Sequence, residues 1–135
     1  MDLSTTPFAL VVDDDPIILM QACDILEAAG FRFHEASTGD EAIALLEDHA
    51  DGVILLFSDV EMPGATNGFA LARHVAEQWP AIDIVIASGR VTPAPGDMPS
   101  KATFLSKPFN HEMVIAHLAR TLPDGKKPAP LKNAL

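Results

Sequence analysis

The chain has 135 residues, a net charge of −10 and one cysteine, Cys23. This length suits a single domain with a sizeable core, and no apolar stretch reaches the roughly 18 residues of a membrane-spanning helix. The acidic balance argues against direct nucleic-acid binding, which needs clustered Lys and Arg. Because one cysteine cannot form an internal disulfide, we expect a reducing, cytoplasmic setting.

Short apolar runs alternate with helix-like stretches along the chain. The runs predict strands and the stretches predict helical crossovers, which together favour an α/β fold with a parallel sheet. The predicted strands lie near residues 8–13, 31–36, 53–58, 82–87 and 104–106. The predicted helices begin at Pro16 (ending at Gly30), at the Thr38 capping box, near Asn67 (ending at Trp79) and at Asn110 (ending at Leu122).

Local signals support several of these elements. Asp15 followed by Pro16 is typical of a helix N-cap and first helical position. Thr38 and Glu41 have the spacing of a capping box. Residues 53–58 are apolar with almost no alternation, which predicts a central strand buried on both faces.

Two segments break the pattern. Residues 89–103 contain Pro93, Pro95 and Pro99, and proline disrupts a helix interior, so we expect a loop or at most one turn in this fourth crossover. Residues 124–135 are rich in lysine and proline, and we expect a flexible C-terminal tail after a domain that spans residues 1–123.

Polar side chains follow the predicted strands: Asp13 and Asp14 after the first, Asp59 after the third, Ser88 after the fourth and Lys107 after the fifth. Carboxyl ends of parallel strands share one edge of the sheet, so these side chains should converge. Clustered carboxylates need a cation, and oxygen ligands suit Mg²⁺. An aspartate beside such a metal can accept a phosphoryl group, whose charge a lysine and a hydroxyl help to neutralise.

Four segments resemble the receiver domain of two-component response regulators: Val11–Asp15, Ser58–Gly64, Ile86–Gly89 and Lys107–Phe109. The resemblance covers roughly residues 8–122. It implies a flavodoxin-like, doubly wound sheet of five parallel strands in the order 2-1-3-4-5.

By this resemblance Asp59 is the expected phospho-acceptor. Asp14, Asp59 and the backbone carbonyl of Glu61 are the expected direct ligands of Mg²⁺ (or Mn²⁺), and Asp13 is expected to act through water. Lys107 is the expected catalytic lysine.

The resemblance also implies a conformational switch. Ser88 is the expected switch hydroxyl and Phe104 the expected switch aromatic, while the Lys107–Pro108 peptide bond is expected to be cis. Glu61 and Arg90 occupy positions that tune the lifetime of the phosphoryl group in this family. Whether they pair over the site or form an ordinary solvated pair stays open.

The missing fourth helix and a longer loop after the acceptor, Pro63 to Gly68, resemble a subset of small, stand-alone receivers. We therefore expect a histidine kinase or histidine phosphotransfer protein to phosphorylate Asp59, with output through protein contacts rather than nucleic acid or membrane. A phosphate shuttle or sink in a phosphorelay is an alternative of the same class.

Two alternatives come from other classes. The segment Asp13-Asp14-Asp15 faintly resembles the nucleophile motif of haloacid-dehalogenase-type phosphatases, but this reading leaves Asp59 without a role. A flavodoxin-like flavin binder is the other, and its phosphate would be repelled by the acidic first loop. The five histidines show no common ligand face, and we expect all of them at the surface or its boundary.

Overall fold

A computed structural model describes residues 7–62, 64, 66–89 and 92–132. The strands are β1 (Phe8–Val12), β2 (Arg32–Ala36), β3 (Val53–Asp59), β4 (Asp83–Ser88) and β5 (Thr103–Ser106). The helices are α1 (Pro16–Ala28), α2 (Gly39–His49), α3 (Gly68–Gln78), α4 (His111–Thr121) and the short α5 (Ala129–Lys132), with a 3-10 turn at Asp124–Lys126. No helix in these ranges is long and apolar enough to cross a membrane.

The strands form one parallel sheet in the order β2-β1-β3-β4-β5, as predicted. In the register of the sheet, Val12 lies opposite Ser58 and Asp59 opposite Ala87. The carboxyl ends of β1, β3 and β4 therefore lie at the same level. Side chains that follow these strands meet at one edge of the sheet.

Strand β3 occupies the centre of the sheet and separates two apolar clusters. Leu55 and Phe57 pack on the face covered by α1 and α4. Leu56 packs on the opposite face with α2 and α3. Burial of each such side chain contributes about 2 kcal/mol, so both layers hold β3, and the aspartate at its end, in a fixed place.

The helix starts use the predicted caps. The Asp15 carboxylate accepts the backbone N–H of Ile17 at 2.9 Å and of Ile18 at 3.4 Å. Thr38 accepts the N–H of Glu41 at 3.1 Å, and the Glu41 carboxylate reaches back to the N–H of Ser37 at 3.3 Å. Both caps satisfy backbone donors that the first turn leaves free.

The fourth crossover contains turns and no helix over residues 92–102, as predicted from its prolines. Asp97 closes one turn by accepting the N–H of Ala94 at 2.7 Å, and its carbonyl accepts Arg73 of α3 at 2.7 Å. The side chain of Met98 packs against the cluster shared with α2 and α3. The loop therefore covers part of the surface that a helix would have covered.

The C-terminal segment, expected to be a flexible tail, makes specific contacts with the rest of the fold. Leu131 is 1% exposed and joins the apolar cluster of α1 and α4, while Lys126 Nζ lies 2.9 Å from Asp83 Oδ2. Pro128 packs so closely on Gly30 that a Cβ at this glycine would lie 2.7 Å from it. The lysine- and proline-rich composition predicted a flexible tail, but a lysine, two prolines and a leucine of this segment contact the rest of the fold. Residues 133–135 of the expected tail lie outside the described residues.

His117 also corrects an expectation, because it is buried and not at the surface or its boundary. Its Nε2 lies 2.8 Å from Thr103 Oγ1, and its Nδ1 lies 3.4 Å from an Arg120 nitrogen. Burial lowers the pKa of His117, and the Arg120 charge lowers it further. Since Arg120 can only donate, the neutral ring carries its proton on Nε2. The six-residue spacing between His111 and His117 predicts that the two rings point to different sides of α4, but it does not show which ring faces the sheet.

Candidate functional site

The side chains predicted to converge do so at the carboxyl edge of the sheet. They line a cavity of about 340 Å³. The lining consists of Asp13, Asp14, Asp15, Ile18, Asp59, Glu61, Ser88, Gly89 and Lys107. The ends of four strands, β1, β3, β4 and β5, therefore contribute to one site.

Lys107 joins two of the carboxylates. Its Nζ donates to Asp13 Oδ2 at 2.9 Å and to Asp59 Oδ1 at 3.0 Å. The side chains are 15%, 6% and 10% exposed, respectively. At such low exposure these are charge-assisted hydrogen bonds with little screening by solvent.

The backbone places Lys107 beside the end of β4. Its N–H donates to the carbonyl of Ser88 at 3.0 Å, and a Cβ at Gly89 would lie 3.3 Å from the Lys107 Cβ. The Lys107–Pro108 peptide bond is cis, as the resemblance implied. Ser88 is buried and lines the cavity, so a hydroxyl and an ammonium lie along the same wall.

The two partners respond differently to burial. Burial raises the pKa of Asp59, and the neighbouring Asp13 adds to this, while hydrogen bonds from Lys107 and the Val60 N–H oppose it without cancelling it. Burial lowers the pKa of Lys107, but the hydrogen bonds with Asp13 and Asp59 outweigh it and keep the pKa above its ordinary value. The two raised pKa values are consistent, because Asp59 shares the ammonium with Asp13, whereas Lys107 is stabilised by both carboxylates.

The acidic cluster is compatible with a hard divalent cation. Asp13, Asp14 and Asp59 each offer a carboxylate oxygen, and these oxygens lie within 4.8 Å of one another. Three carboxylates face one ammonium, so the cluster retains negative charge. Oxygen ligands with excess negative charge suit Mg²⁺ or Mn²⁺.

The Asp13 carboxylate is already engaged on both of its oxygens. Oδ1 accepts the backbone N–H of Asp15 at 2.9 Å, and Oδ2 accepts Lys107. Asp14 is exposed at the mouth of the cavity. The two adjacent aspartates therefore occupy different environments, one inside the site and one at its entrance.

One residue predicted to take part in the switch lies outside the cavity. Phe104 is half-buried on β5 opposite Ile86 and does not line the cavity. Glu61 does line it, but Arg90 lies outside the described residues, so whether the two side chains pair stays open. Ser88 lines the cavity and Phe104 does not, and the coupling between these two expected switch residues stays a prediction.

Sequence reasoning missed two features of the site. The direct contact between Asp13 and Lys107 joins residues that are 94 positions apart, and no local pattern signals it. The second feature is exposed apolar surface on α1, the helix that contributes Ile18 to the cavity wall: Ile17 is 71% and Met20 60% exposed. The sequence did contain a signal, because helical spacing places neither residue on the apolar face of α1 that packs on the sheet.

Comparisons with known proteins agree with this geometry. Residues 9–119 match the family described as the response regulator receiver domain. The sensor kinase CckA of Brucella abortus (strain 2308) is 33% identical over 114 residues, which are 81% of this chain and 12% of that protein. The transcriptional regulatory protein CpxR of Escherichia coli (strain K12) is 30% identical over 115 residues, 84% of this chain and 48% of that protein. The chain thus spans about half or less of these relatives.

Solved structures give the same assignment. The chemotaxis response regulator CheY4 of Vibrio cholerae superimposes with a TM-score of 0.76 at 28% identity, covering 87% of this chain and all of that one (100%). The receiver domain of the hybrid histidine kinase CckA gives a TM-score of 0.73 at 28% identity, over 86% and 99% of the two chains.

Proposed function

This chain belongs to the family of response regulator receiver domains, and we propose that it is a phosphorylation-dependent switch that accepts a phosphoryl group on Asp59. Receiver domains serve two-component signalling and are not enzymes that turn over external substrates. The chemistry proposed for this chain is therefore restricted to its own phosphorylation and dephosphorylation.

One observation carries the choice of acceptor: the Lys107 ammonium lies 3.0 Å from Asp59 Oδ1 at the floor of the cavity. A phosphoryl group on Asp59 adds negative charge close to this ammonium, which can then form a charge-assisted hydrogen bond with it. Ser88 lines the same cavity and offers a hydroxyl donor. They support Asp59 over the exposed Asp14. Lys107 also contacts Asp13, at 2.9 Å, but both oxygens of that carboxylate already accept a hydrogen bond.

The proposed reaction transfers the phosphoryl group from a phosphohistidine. An oxygen of the Asp59 carboxylate attacks phosphorus, the P–N bond breaks, and its electron pair leaves with the imidazole. Positioning and charge neutralisation supply most of the catalysis in such transfers. Lys107 neutralises one oxygen of the transferred group, and Ser88 is placed to approach another.

The residues also fit a metal. Asp14, Asp59 and the Glu61 carbonyl are proposed to hold Mg²⁺ (or Mn²⁺), which when bound neutralises charge on the phosphoryl oxygens. Asp13 is proposed to act through water, in keeping with the two donors that its carboxylate already accepts. The negative excess of the cluster supports this assignment.

The proposed donor is the phosphohistidine of a histidine kinase or a histidine phosphotransfer protein. Ile17 and Met20 on α1 and Met113 on α4 are exposed apolar side chains, and α1 also contributes Ile18 to the cavity wall. A protein that delivers a phosphoryl group to Asp59 must approach this region, where apolar contacts can hold it. We propose that phosphorylation then changes contacts with a downstream protein.

A haloacid-dehalogenase-type phosphatase has no support from the family match, which assigns the chain to receiver domains. The roles of Asp13 and Asp59 separate the two readings experimentally, because the phosphatase would use Asp13 as its nucleophile.

The test uses a small acyl phosphate, such as acetyl phosphate, with MgCl₂ and intact-mass spectrometry. Wild type should gain one phosphoryl group, whereas Asp59→Asn and wild type in EDTA should not. Asp51→Asn, at an exposed aspartate just before β3, is the matched control and should be phosphorylated like wild type. An unchanged gain in the Asp59→Asn protein would overturn the proposal.

A further inference from the structure

The segment between Asp59 and α3 carries Glu61, whose carbonyl is a proposed metal ligand, so its position matters for the site. We call the described residues of this segment, 60–62, 64, 66 and 67, the acceptor loop, and a backbone contact joins its two ends. The N–H of Gly68 donates to the carbonyl of Val60 at 2.8 Å. A Cβ at Gly68 would lie 2.0 Å from the carbonyl oxygen of Asp59, so only glycine permits this approach.

The far side of the acceptor loop rests on α2. Thr66 Oγ1 donates to Asp40 Oδ1 at 2.6 Å, across 26 residues of sequence. A Cβ at Gly39 would lie 2.4 Å from the Thr66 carbonyl oxygen. The backbone of the first turn of α2 therefore touches the backbone of the loop directly.

Asp40 is not needed to begin the helix. Thr38 and Glu41 form the N-terminal cap of α2, and Asp40 is exposed in the first turn. An acid there favours the helix dipole, but that role does not require a contact with a residue from another element. The short hydrogen bond with Thr66 gives this carboxylate a specific partner, and it lies outside the cavity.

We propose that Asp40 and Thr66 are positioning residues that hold the acceptor loop so that the Glu61 carbonyl faces the acidic cluster. This inference rests on the proposed function, and it adds two residues to the site that no motif of the sequence pointed to. Neither residue lines the cavity. Their effect on the metal is therefore indirect.

The inference predicts that the affinity for Mg²⁺ changes while the maximal rate of phosphorylation does not. Without the hydrogen bond, the loop samples more conformations, and metal binding must order it again. Thr66→Val should therefore raise the dissociation constant of Mg²⁺ by about 5-fold, the equivalent of one ordinary hydrogen bond. Phosphorylation by acetyl phosphate should slow at low Mg²⁺ and return to the wild-type rate at saturating Mg²⁺.

Matched variants separate positioning from a general loss of structure. Thr66→Ser keeps the hydroxyl and Asp40→Asn keeps an acceptor oxygen, so both should stay close to wild type. Asp40→Ala should match Thr66→Val, and the double variant should be no worse than either single variant, since both remove one interaction. Asp48→Ala, near the other end of α2, is the control for the loss of an exposed aspartate.

Two measurements test the inference. Calorimetric titration with MgCl₂ gives the dissociation constant, and hydrogen exchange of the metal-free protein reports directly on the backbone amides of residues 60–62, 64, 66 and 67. We expect about 5-fold faster exchange there in Thr66→Val and Asp40→Ala. Wild-type exchange and wild-type Mg²⁺ affinity in these variants, or additive effects in the double variant, would overturn the proposal.

The exchange experiment needs neither metal nor phosphoryl donor. If Asp59 is never phosphorylated but the loop loosens in these variants, the proposed function fails and the anchoring of the loop stands. If Asp59 is phosphorylated and the loop is unaffected, only this inference fails.

Discussion

Replacing Lys107 by methionine should destabilise the metal-free protein by about 3 kcal/mol. Methionine keeps much of the apolar stem but removes the ammonium that donates to Asp13 and Asp59 at 2.9 and 3.0 Å. The two carboxylates then face each other without a cation between them. Because the three side chains are 15% exposed or less, water cannot take over the full role of the ammonium.

Two reference values for the same lost interaction bound the magnitude. A hydrogen bond to a charged group contributes about 1.5–3 kcal/mol, and removal of one partner from a buried ion pair costs about 3–5 kcal/mol because a charge is left without compensation. The small remaining exposure favours the lower end of this range. Asp59→Asn removes one of the two carboxylates, so Lys107→Met should cost only about half as much in that background.

Urea unfolding in EDTA, followed by the fluorescence of Trp79, measures these differences. Trp79 is the one tryptophan of the chain, and it packs partly buried at the end of α3. Lys107→Arg keeps the charge and should lose much less stability. A Lys107→Met protein as stable as wild type would refute the assignment of Lys107 as the cation of the acidic cluster.

Three further predictions concern groups outside the cavity. His117→Gln should reduce the loss of stability, measured as the urea midpoint, between about pH 7.5 and about pH 5.5. The folded pKa of His117 lies below the ordinary 6.5, so protons bind preferentially to the unfolded chain. The contribution of His117 to stability is therefore full above about pH 6.5 and declines as the pH falls. An unchanged slope contradicts this. Leu131→Ala should cost about 2 kcal/mol, whereas the exposed control Ala129→Ser should cost little; equal stabilities would mean that the C-terminal segment is not docked in solution. Cys23, whose pKa burial raises to about 12, should react with a thiol reagent far more slowly in the folded than in the unfolded protein, and similar rates would contradict its burial.

The carboxyl edge of the sheet was predictable because it depends on topology alone. Once the strands are parallel, Asp13, Asp59, Ser88 and Lys107 must share an edge, whatever the details of packing. The N-caps Asp15 and Thr38 were predictable for a similar reason, since a cap depends on its own few neighbours.

The individual hydrogen bonds between residues far apart in the sequence were not predictable from topology. The hydrogen bond between Thr66 and Asp40, and that between Lys107 and Asp13, join distant parts of the chain. Leu131 could be placed in the core only after the ends of α1 and α4 were known to leave room for it. His117 needed the rotation of α4 about its own axis, and neighbouring apolar residues decided that rotation.

The most direct test of the phosphorylation of Asp59 is to locate the phosphoryl group chemically. Borohydride reduces an aspartyl phosphate to homoserine, so treatment of the protein after reaction with acetyl phosphate and MgCl₂ leaves a permanent mark at the acceptor. Peptide mass spectrometry should find homoserine at position 59 and leave Asp13 and Asp14 unchanged. Homoserine at position 13 or 14, or at none of the three positions, would contradict the assignment of Asp59 as the acceptor.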